Sequence, residues 1–114
     1  MDGCLFCGIV DGKIKANIVY QDDRIVAFTD LRPQARVHIL LIPRKHLPGV
    51  LDIGAADHAM IGEILQVAAG LAREHGIADS GFRVVVNSGA DAGQSVFHLH
   101  YHLLGGRSMS WPPG

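Results

Sequence analysis

The sequence predicts an α+β fold in which an antiparallel sheet of about five strands packs with one long helix and a short N-terminal helix. Short apolar runs recur between turn-forming residues, as strands require, and a single segment has helical periodicity over more than three turns. A chain of 114 residues, 48% of them hydrophobic, suffices for one core. We therefore predict a single domain over residues 1–114.

Five segments have the composition of strands. The first two are separated by polar residues only, which favours a hairpin. The third is apolar almost throughout and ends at Pro43, which predicts a strand that is buried on both faces. The five segments are residues 18–20, 24–28, 37–42, 82–86 and the histidine-rich segment 95–104.

Two segments predict helices. Residues 4–12 offer one or two helical turns before an Asp-Gly pair interrupts them. The long helix is expected from about Ala55 to about His75, with Gly76 as its stop. Its apolar stripe consists of Ile61, Ile64, Leu65, Ala68, Leu71 and Ala72.

The charge and the hydrophobic pattern exclude two classes of partner. The formal net charge is −1, so the chain has no basic field that would attract nucleic acid. No apolar run approaches the roughly 20 residues of a membrane helix, and the N-terminus lacks a basic segment followed by an apolar run. We expect a soluble, cytoplasmic protein with neither a nucleic-acid nor a membrane partner.

Three histidines occupy every second position near the end of the sequence. In an extended chain this spacing sends the rings of His98, His100 and His102 to one face. Three titratable rings on one face are costly for a chain that only has to fold. They can bind one zinc and leave a position open for water, or one ring can attack a phosphoryl or nucleotidyl group.

Polar residues near this segment have both functional and purely local interpretations. Gly89 and Gly93 allow backbone N–H groups to approach an anion closely. The Ser95 hydroxyl can bond a leaving group or simply support a turn. Asp30 follows a predicted strand, where its carboxylate can accept hydrogen bonds from a diol such as ribose or cap the turn before Pro33.

The two cysteines, Cys4 and Cys7, lie too close together to stabilise a fold as a disulfide. Their spacing is typical of two zinc ligands, in which case histidines complete the site. A redox pair is the alternative, although no strand precedes Cys4 as in thioredoxin-like motifs. The candidate histidines are His38, His46, His58, His75 and the alternating three.

The run His98-Leu99-His100-Tyr101-His102-Leu103-Leu104 resembles the signature of the histidine triad nucleotide-binding family. Other segments resemble its branch of purine nucleoside phosphoramidases, and together they cover nearly the whole chain. The resemblance implies a homodimer whose two sheets join, and hydrolysis of purine nucleoside 5′-phosphoramidates of the AMP or GMP type. The other matching segments are residues 22–30, 42–46, 85–87, 93–97 and 104–114.

The resemblance also implies a role for each matching residue. His100 would attack phosphorus and form a nucleotidyl-histidine that water cleaves, and His102 would contact phosphate oxygens. His98 would orient His100, and His38 would lie beneath that nucleophile and support its tautomer. The remaining implied contacts are Asp30 with the ribose hydroxyls; Phe6, Ile9, Phe28 and Leu31 with the base; Asn87, Gly93, Gln94 and Ser95 with the phosphate or leaving group; and Trp111 near the partner subunit's site.

The cysteine pair departs from the best-known eukaryotic members and matches bacterial relatives, in which it binds zinc. The matching ligands here are Cys4, Cys7, His46 and His98. Four protein ligands leave no open position, so such a zinc would be structural and catalysis would need no cofactor; the thiols can also remain free. Two other functions stay open: a zinc enzyme with the three histidines as ligands, and a nucleotide-sensing or protein-interaction module whose hydrolysis is incidental.

Overall fold

A computed structural model describes residues 3–114. The five strands form one antiparallel sheet in the order β1-β2-β3-β5-β4, which confirms the predicted fold class. Short 3-10 turns at Val50–Asp52 and Ala55–Asp57 precede the long helix. The elements are α1 (Leu5–Val10), β1 (Ile18–Gln21), β2 (Ile25–Thr29), β3 (Val37–Pro43), α2 (His58–Glu74), β4 (Phe82–Val86) and β5 (Tyr101–Gly105).

The central strand β3 is buried along its whole length, as its apolar sequence predicts. Its alternate residues face two different cores. Ile39 and Leu41 pack under α2, whereas Leu40 and Ile42 pack under α1. The sheet therefore has a helix on each face, and the alternation of side chains along a strand distributes the residues between them.

Helix α2 begins at His58, three residues later than expected, because residues 55–57 form a 3-10 turn that the Asp57 carboxylate closes by accepting from the Gly54 N–H. The predicted stripe is wrong at Leu65, which is half exposed, and it omits Met60, which is buried. Leu65 lies one residue beyond the fully buried Ile64, and a step of one residue turns a helix by about 100°.

The last strand begins at Tyr101, so the prediction of a strand from residue 95 is wrong for its first half. Continuing the pairing of Leu41 with Tyr101 would bring Leu99 opposite Pro43, which has no N–H to donate. The Leu99 N–H instead donates to the carbonyl of Leu47 at 2.6 Å. The alternation nevertheless persists, because Leu99 and Tyr101 join the core under α2 while the histidines face the other way.

Neither helix in the described part of the chain combines the length and the apolar character that a membrane span requires.

Candidate functional site

Four potential metal ligands converge where α1 meets the segment before β5. Sγ of Cys4 and of Cys7 and Nδ1 of His46 and of His98 all lie within 4.8 Å of one another. The nitrogen-to-sulfur distances are 3.2 Å from His46 to Cys7 and 3.5 Å from His98 to either cysteine. Ligands of a tetrahedral zinc with ordinary bond lengths are separated by roughly 3.5 Å. The residues therefore fit such an ion.

A hydrogen bond beside this cluster orients a ligand atom so that it can bind a cation. Nε2 of His98 lies 2.7 Å from the Pro43 carbonyl oxygen, which only accepts, so Nε2 carries the proton and the Nδ1 lone pair faces the sulfurs. Burial lowers the pKa of His98, which keeps the ring neutral. Burial and the neighbouring Cys4 raise the pKa of the Cys7 thiol, so two thiolates require a positive charge between them.

The middle histidine is held by the backbone of the first. Nδ1 of His100 lies 2.8 Å from the carbonyl oxygen of His98, so Nδ1 donates, and in the neutral tautomer of this ring the lone pair is on Nε2. The Phe6 ring packs edge-to-face on the His100 ring at a centroid distance of 5.1 Å and on Phe28 at 5.4 Å. The orientation of the buried His100 ring is therefore fixed, with Nε2 as the atom left to react.

A second chain of hydrogen bonds fixes His102. The backbone N–H of Gln34 donates to Nδ1 of His38 at 3.0 Å, so the proton of the His38 ring sits on Nε2. That Nε2 donates to Nδ1 of His102 at 2.9 Å, which leaves the His102 proton on its own Nε2. Among the described residues, Nε2 of His102 is buried and has no hydrogen-bond partner. This Nε2–H group can therefore donate a hydrogen bond to a ligand.

The two rings linked by these hydrogen bonds, those of His38 and His102, are neutral at pH 7. Burial lowers the pKa of His38, although Asp30, whose Oδ2 lies 3.4 Å from Nε2, opposes the shift. Burial, followed by the charges of His100 and His38, lowers the pKa of His102 to about 4. Each ring therefore carries a single proton, on Nε2, under physiological conditions.

A cavity of about 430 Å³ opens beside these rings, between α1 and the end of β2. Its wall includes Ile14, Ala16 and Val96, and Lys15 and Asn17 also line it; none of these five is a predicted site residue. The four residues 14–17 reach the cavity because the link between α1 and β1 folds back, which no local motif signals. The predicted site residues that line the cavity are Phe6, Ile9, Phe28, Asp30, Leu31, Ser95, His100 and His102.

Other predicted site residues lie elsewhere in the described structure. Asn87, Gly93 and Trp111 do not line this cavity, and Trp111 is 81% exposed. The buried Gln94 differs most from its expected contact with phosphate or leaving group. Its Nε2 donates to the carbonyls of Pro48 and Val96, and its Oε1 accepts from the Gly89 N–H. All hydrogen-bonding groups of this amide thus stabilise the loop.

Two expected arrangements of the histidines also differ from the structure. His38 hydrogen-bonds His102, whereas the resemblance implies a position beneath His100. Among residues 3–114, His98 and His102 belong to separate clusters of potential metal ligands, and His100 belongs to neither. The alternating rings thus do not surround one ion, which contradicts the interpretation of these three residues as the ligands of a catalytic zinc.

Comparison with known proteins identifies the class to which this fold and site belong. Residues 11–109 match the HIT domain family, so the chain is a member of that family. Two relatives are uncharacterized HIT-like proteins of Synechocystis sp. and Synechococcus elongatus. They are 52% and 46% identical to this chain over 110 residues, which cover 96% of each protein.

Solved structures show the same fold. A HIT family hydrolase from Legionella pneumophila is 46% identical, with a TM-score of 0.96 and coverage of 98% of this chain and 100% of that one. A histidine triad protein from Clostridium difficile is 43% identical, with a TM-score of 0.93 and 96% coverage of both chains. A zinc-bound histidine triad family protein from Mycobacterium smegmatis is 33% identical, with a TM-score of 0.81 and coverage of 93% and 76%.

Proposed function

We propose that this protein hydrolyses purine nucleoside 5′-phosphoramidates of the AMP or GMP type through a covalent nucleotidyl-histidine at His100. The observation that carries the proposal is the hydrogen bond from Nδ1 of His100 to the His98 carbonyl. In the neutral tautomer this bond leaves the lone pair on Nε2, at the lining of a largely apolar cavity. The HIT family hydrolase from Legionella pneumophila, at 46% identity, supports a hydrolytic reaction.

The reaction proceeds in two displacements at phosphorus. Nε2 of His100 attacks, a nitrogen–phosphorus bond to the enzyme forms, and the bond to the substrate amine breaks as that amine takes up a proton from solvent, to which the attacking water later returns one. Water then attacks the same phosphorus, releases the nucleoside monophosphate and restores the imidazole. Imidazole suits both steps because it is neutral as a nucleophile and departs readily as a leaving group.

His102 stabilises the phosphate in this proposal. Its Nε2–H is a buried donor without a partner among the described residues, an arrangement that costs about 1–3 kcal/mol. A non-bridging phosphate oxygen is an acceptor of suitable charge. Because the donor is already oriented, its bond to a phosphate that gains charge in the transition state costs no reorganisation.

The cavity beside the triad accommodates the nucleoside. Phe6, Ile9, Phe28 and Leu31 supply apolar surface for a purine base. Asp30 lies beside His38, where its Oδ2 is 3.4 Å from Nε2 of that ring and its Oδ1 accepts from the Arg32 N–H. We propose that this carboxylate accepts the ribose hydroxyls and that Ser95, on the same wall, bonds the leaving group.

We further propose a structural zinc bound by Cys4, Cys7, His46 and His98. The fit of the four ligand atoms supports it, as does the zinc-bound relative from Mycobacterium smegmatis. When bound, the ion supplies a cross-link and no open coordination position. It would fix His98, and the carbonyl of His98 orients His100.

We also propose a homodimer that forms through strand β4. This strand lies at the edge of the sheet, and Phe82 and Val86 are exposed along it. An apolar edge strand presents unpaired backbone groups to a second copy of the chain. Pairing of two β4 strands would join the sheets, and the exposed Trp111 would then lie near the partner's site.

The test is hydrolysis of adenosine 5′-phosphoramidate, followed as AMP release by the protein without added chelator. We expect His100→Ala to lower the rate at least about a thousandfold, as for other covalent nucleophiles. His58→Gln, on the exposed start of α2, is the matched control and should retain the wild-type rate. Intact-mass analysis after rapid quench should reveal the nucleotidyl adduct in the wild type only. An unchanged rate in His100→Ala would contradict the mechanism.

A further inference from the structure

We propose that Arg107, which lies outside the cavity, is a positioning residue that fixes the tautomer of His102 through Gln34 and His38. No motif in the sequence points to a role for Arg107. The inference depends on the proposed function for its effect on turnover, but not for its effect on the tautomer.

Arg107 is fixed at two backbone carbonyls. Its Nε donates to the carbonyl oxygen of Gln34 at 2.8 Å, and its Nη1 donates to that of Ser108 at 3.0 Å. The first bond connects the segment after β5 to the loop between β2 and β3, across 73 positions of sequence. Arg107 thereby restrains the residue whose N–H holds the ring of His38.

A glycine allows the arginine to reach this loop. Gly106 has a φ of +94°, a backbone conformation that residues other than glycine rarely adopt. A Cβ at this position would lie 2.8 Å from Cβ of Arg36. The chain therefore turns closely against the loop directly after β5 and brings the next side chain, Arg107, to the Gln34 carbonyl.

Among the described residues, the other hydrogen bonds of this loop stay within it or reach His38 on β3, where the Asp30 N–H donates to the carbonyl and the Gln34 N–H donates to the ring. Asp30 Oδ1 accepts from the Arg32 N–H, and the Gln34 side-chain amide donates to the Arg32 carbonyl. These bonds shape the turn around Pro33 and hold it to β3, but none of them restrains the Gln34 carbonyl. In the described part of the chain Arg107 is the one donor to the Gln34 carbonyl, so its bond limits rotation of this residue and thereby the direction of the Gln34 N–H.

The direction of that N–H decides which atom of His102 carries a proton. If Nδ1 of His38 loses its donor, the His38 ring can carry its proton on Nδ1, and its Nε2 then becomes an acceptor. Nδ1 of His102 must donate to that acceptor to keep the bond, which removes the proton from its Nε2. A lone pair would then face the phosphate where the proposed mechanism needs a donor.

The test begins with the tautomer itself, measured by nitrogen-15 NMR of histidine-labelled protein. We expect His102 to be protonated at Nε2 alone in the wild type and to populate both tautomers in Arg107→Met. Arg107→Lys retains a charged donor and should restore most of the wild-type signal. Arg83→Met is the matched control, because Arg83 also donates to a carbonyl of the C-terminal segment, that of Ser110 at 3.0 Å.

Steady-state kinetics with adenosine 5′-phosphoramidate give the second measurement. Loss of one hydrogen bond should lower kcat about 3- to 10-fold in Arg107→Met and change KM less than about twofold. An unchanged tautomer in Arg107→Met, or the same change in Arg83→Met, would overturn the inference. A raised KM with unchanged kcat would likewise overturn it, since Arg107 would then bind substrate directly. Failure of the wild type to hydrolyse the substrate would refute the proposed function alone, because the NMR comparison still decides the inference.

Discussion

The two faces of the sheet bury different kinds of side chains. Under α2, which has 17 residues, the buried core is entirely apolar. Under α1, which has six, a smaller apolar core adjoins the buried rings of His98 and His100. At 1.5 Å per residue the helices span about 26 Å and 9 Å, so α1 leaves part of its face uncovered. That uncovered part is the cavity, and the short helix is what makes room for a site.

The short helix cannot be stable by itself. Isolated helices of six residues do not form in water, because nucleation is unfavourable and too few hydrogen bonds follow it. Its N-cap is Cys4, whose Sγ accepts from the Cys7 N–H at 3.3 Å, and Phe6 and Ile9 pack on the sheet. If zinc binds as proposed, Cys4 and Cys7 also connect the helix to the segment before β5. The α1 face should therefore depend on the metal, and the α2 face should not.

Removal of zinc should have the largest effect on stability. A ligand present at several hundred times its dissociation constant stabilises the folded state by about 3–4 kcal/mol, so a strong chelator should lower the free energy of unfolding by that amount. Chemical denaturation with and without chelator measures the change. Cys4→Ser should be less stable from the start and should not respond to chelator. A metal-free wild type whose stability equals that of the untreated protein would contradict the structural zinc.

Truncation of a core side chain on each face should separate stability from catalysis. Ile64→Ala removes a fully buried side chain under α2 and should cost about 3 kcal/mol of unfolding free energy, with the kcat of the folded protein unchanged. Phe6→Leu nearly conserves volume and should cost only about 1 kcal/mol. Because Phe6 packs on His100 and lines the cavity, this variant should lower the rate of AMP release about tenfold. Equal kinetic effects of the two variants would contradict the division between the faces.

The difference between the faces also explains which features the sequence predicts. Periodicity and turn residues predict the five strands and both helices, because hydrophobic burial imposes them locally. The alternation of the three histidines places them opposite Leu99 and Tyr101, as the structure confirms. The sequence does not signal the backbone groups that select the tautomers. Any residue at position 34 other than proline supplies an N–H, so its direction depends on the folded loop alone.

The residue types alone do not reveal how a polar group is used. A buried Gln94 beside glycines suits a phosphate contact, yet three backbone groups of neighbouring segments satisfy its amide. Pro48 lies 46 positions from Gln94 in the sequence, so only the folded chain shows that the two residues meet. The apolar wall of the cavity is a similar case, because Ile14 and Ala16 reach it from the link between α1 and β1.

The smallest predicted effect concerns pH and also distinguishes the faces. In the unfolded chain His102 takes up a proton near pH 6.5, whereas burial and the neighbouring histidines lower its folded pKa to about 4. Between these values the unfolded state binds more protons, so stability is complete above pH 6.5 and is lost as the pH falls toward 4. After allowance for partial solvent screening, His102 should contribute about 1 kcal/mol of this loss between pH 6.5 and 5.

Denaturant unfolding of the wild type and of His102→Gln across this pH range, at one zinc concentration, isolates the contribution of His102. Release of zinc from the other histidines affects both proteins and cancels in the difference. Glutamine does not titrate, so the variant should lose stability less steeply on acidification than the wild type. Ile64→Ala changes only the apolar face and should keep the wild-type slope while its stability is lower at every pH. Parallel curves for the wild type and His102→Gln would show that His102 has the same pKa in the folded and unfolded protein. That result would contradict the effect of its burial and of its hydrogen bond from His38.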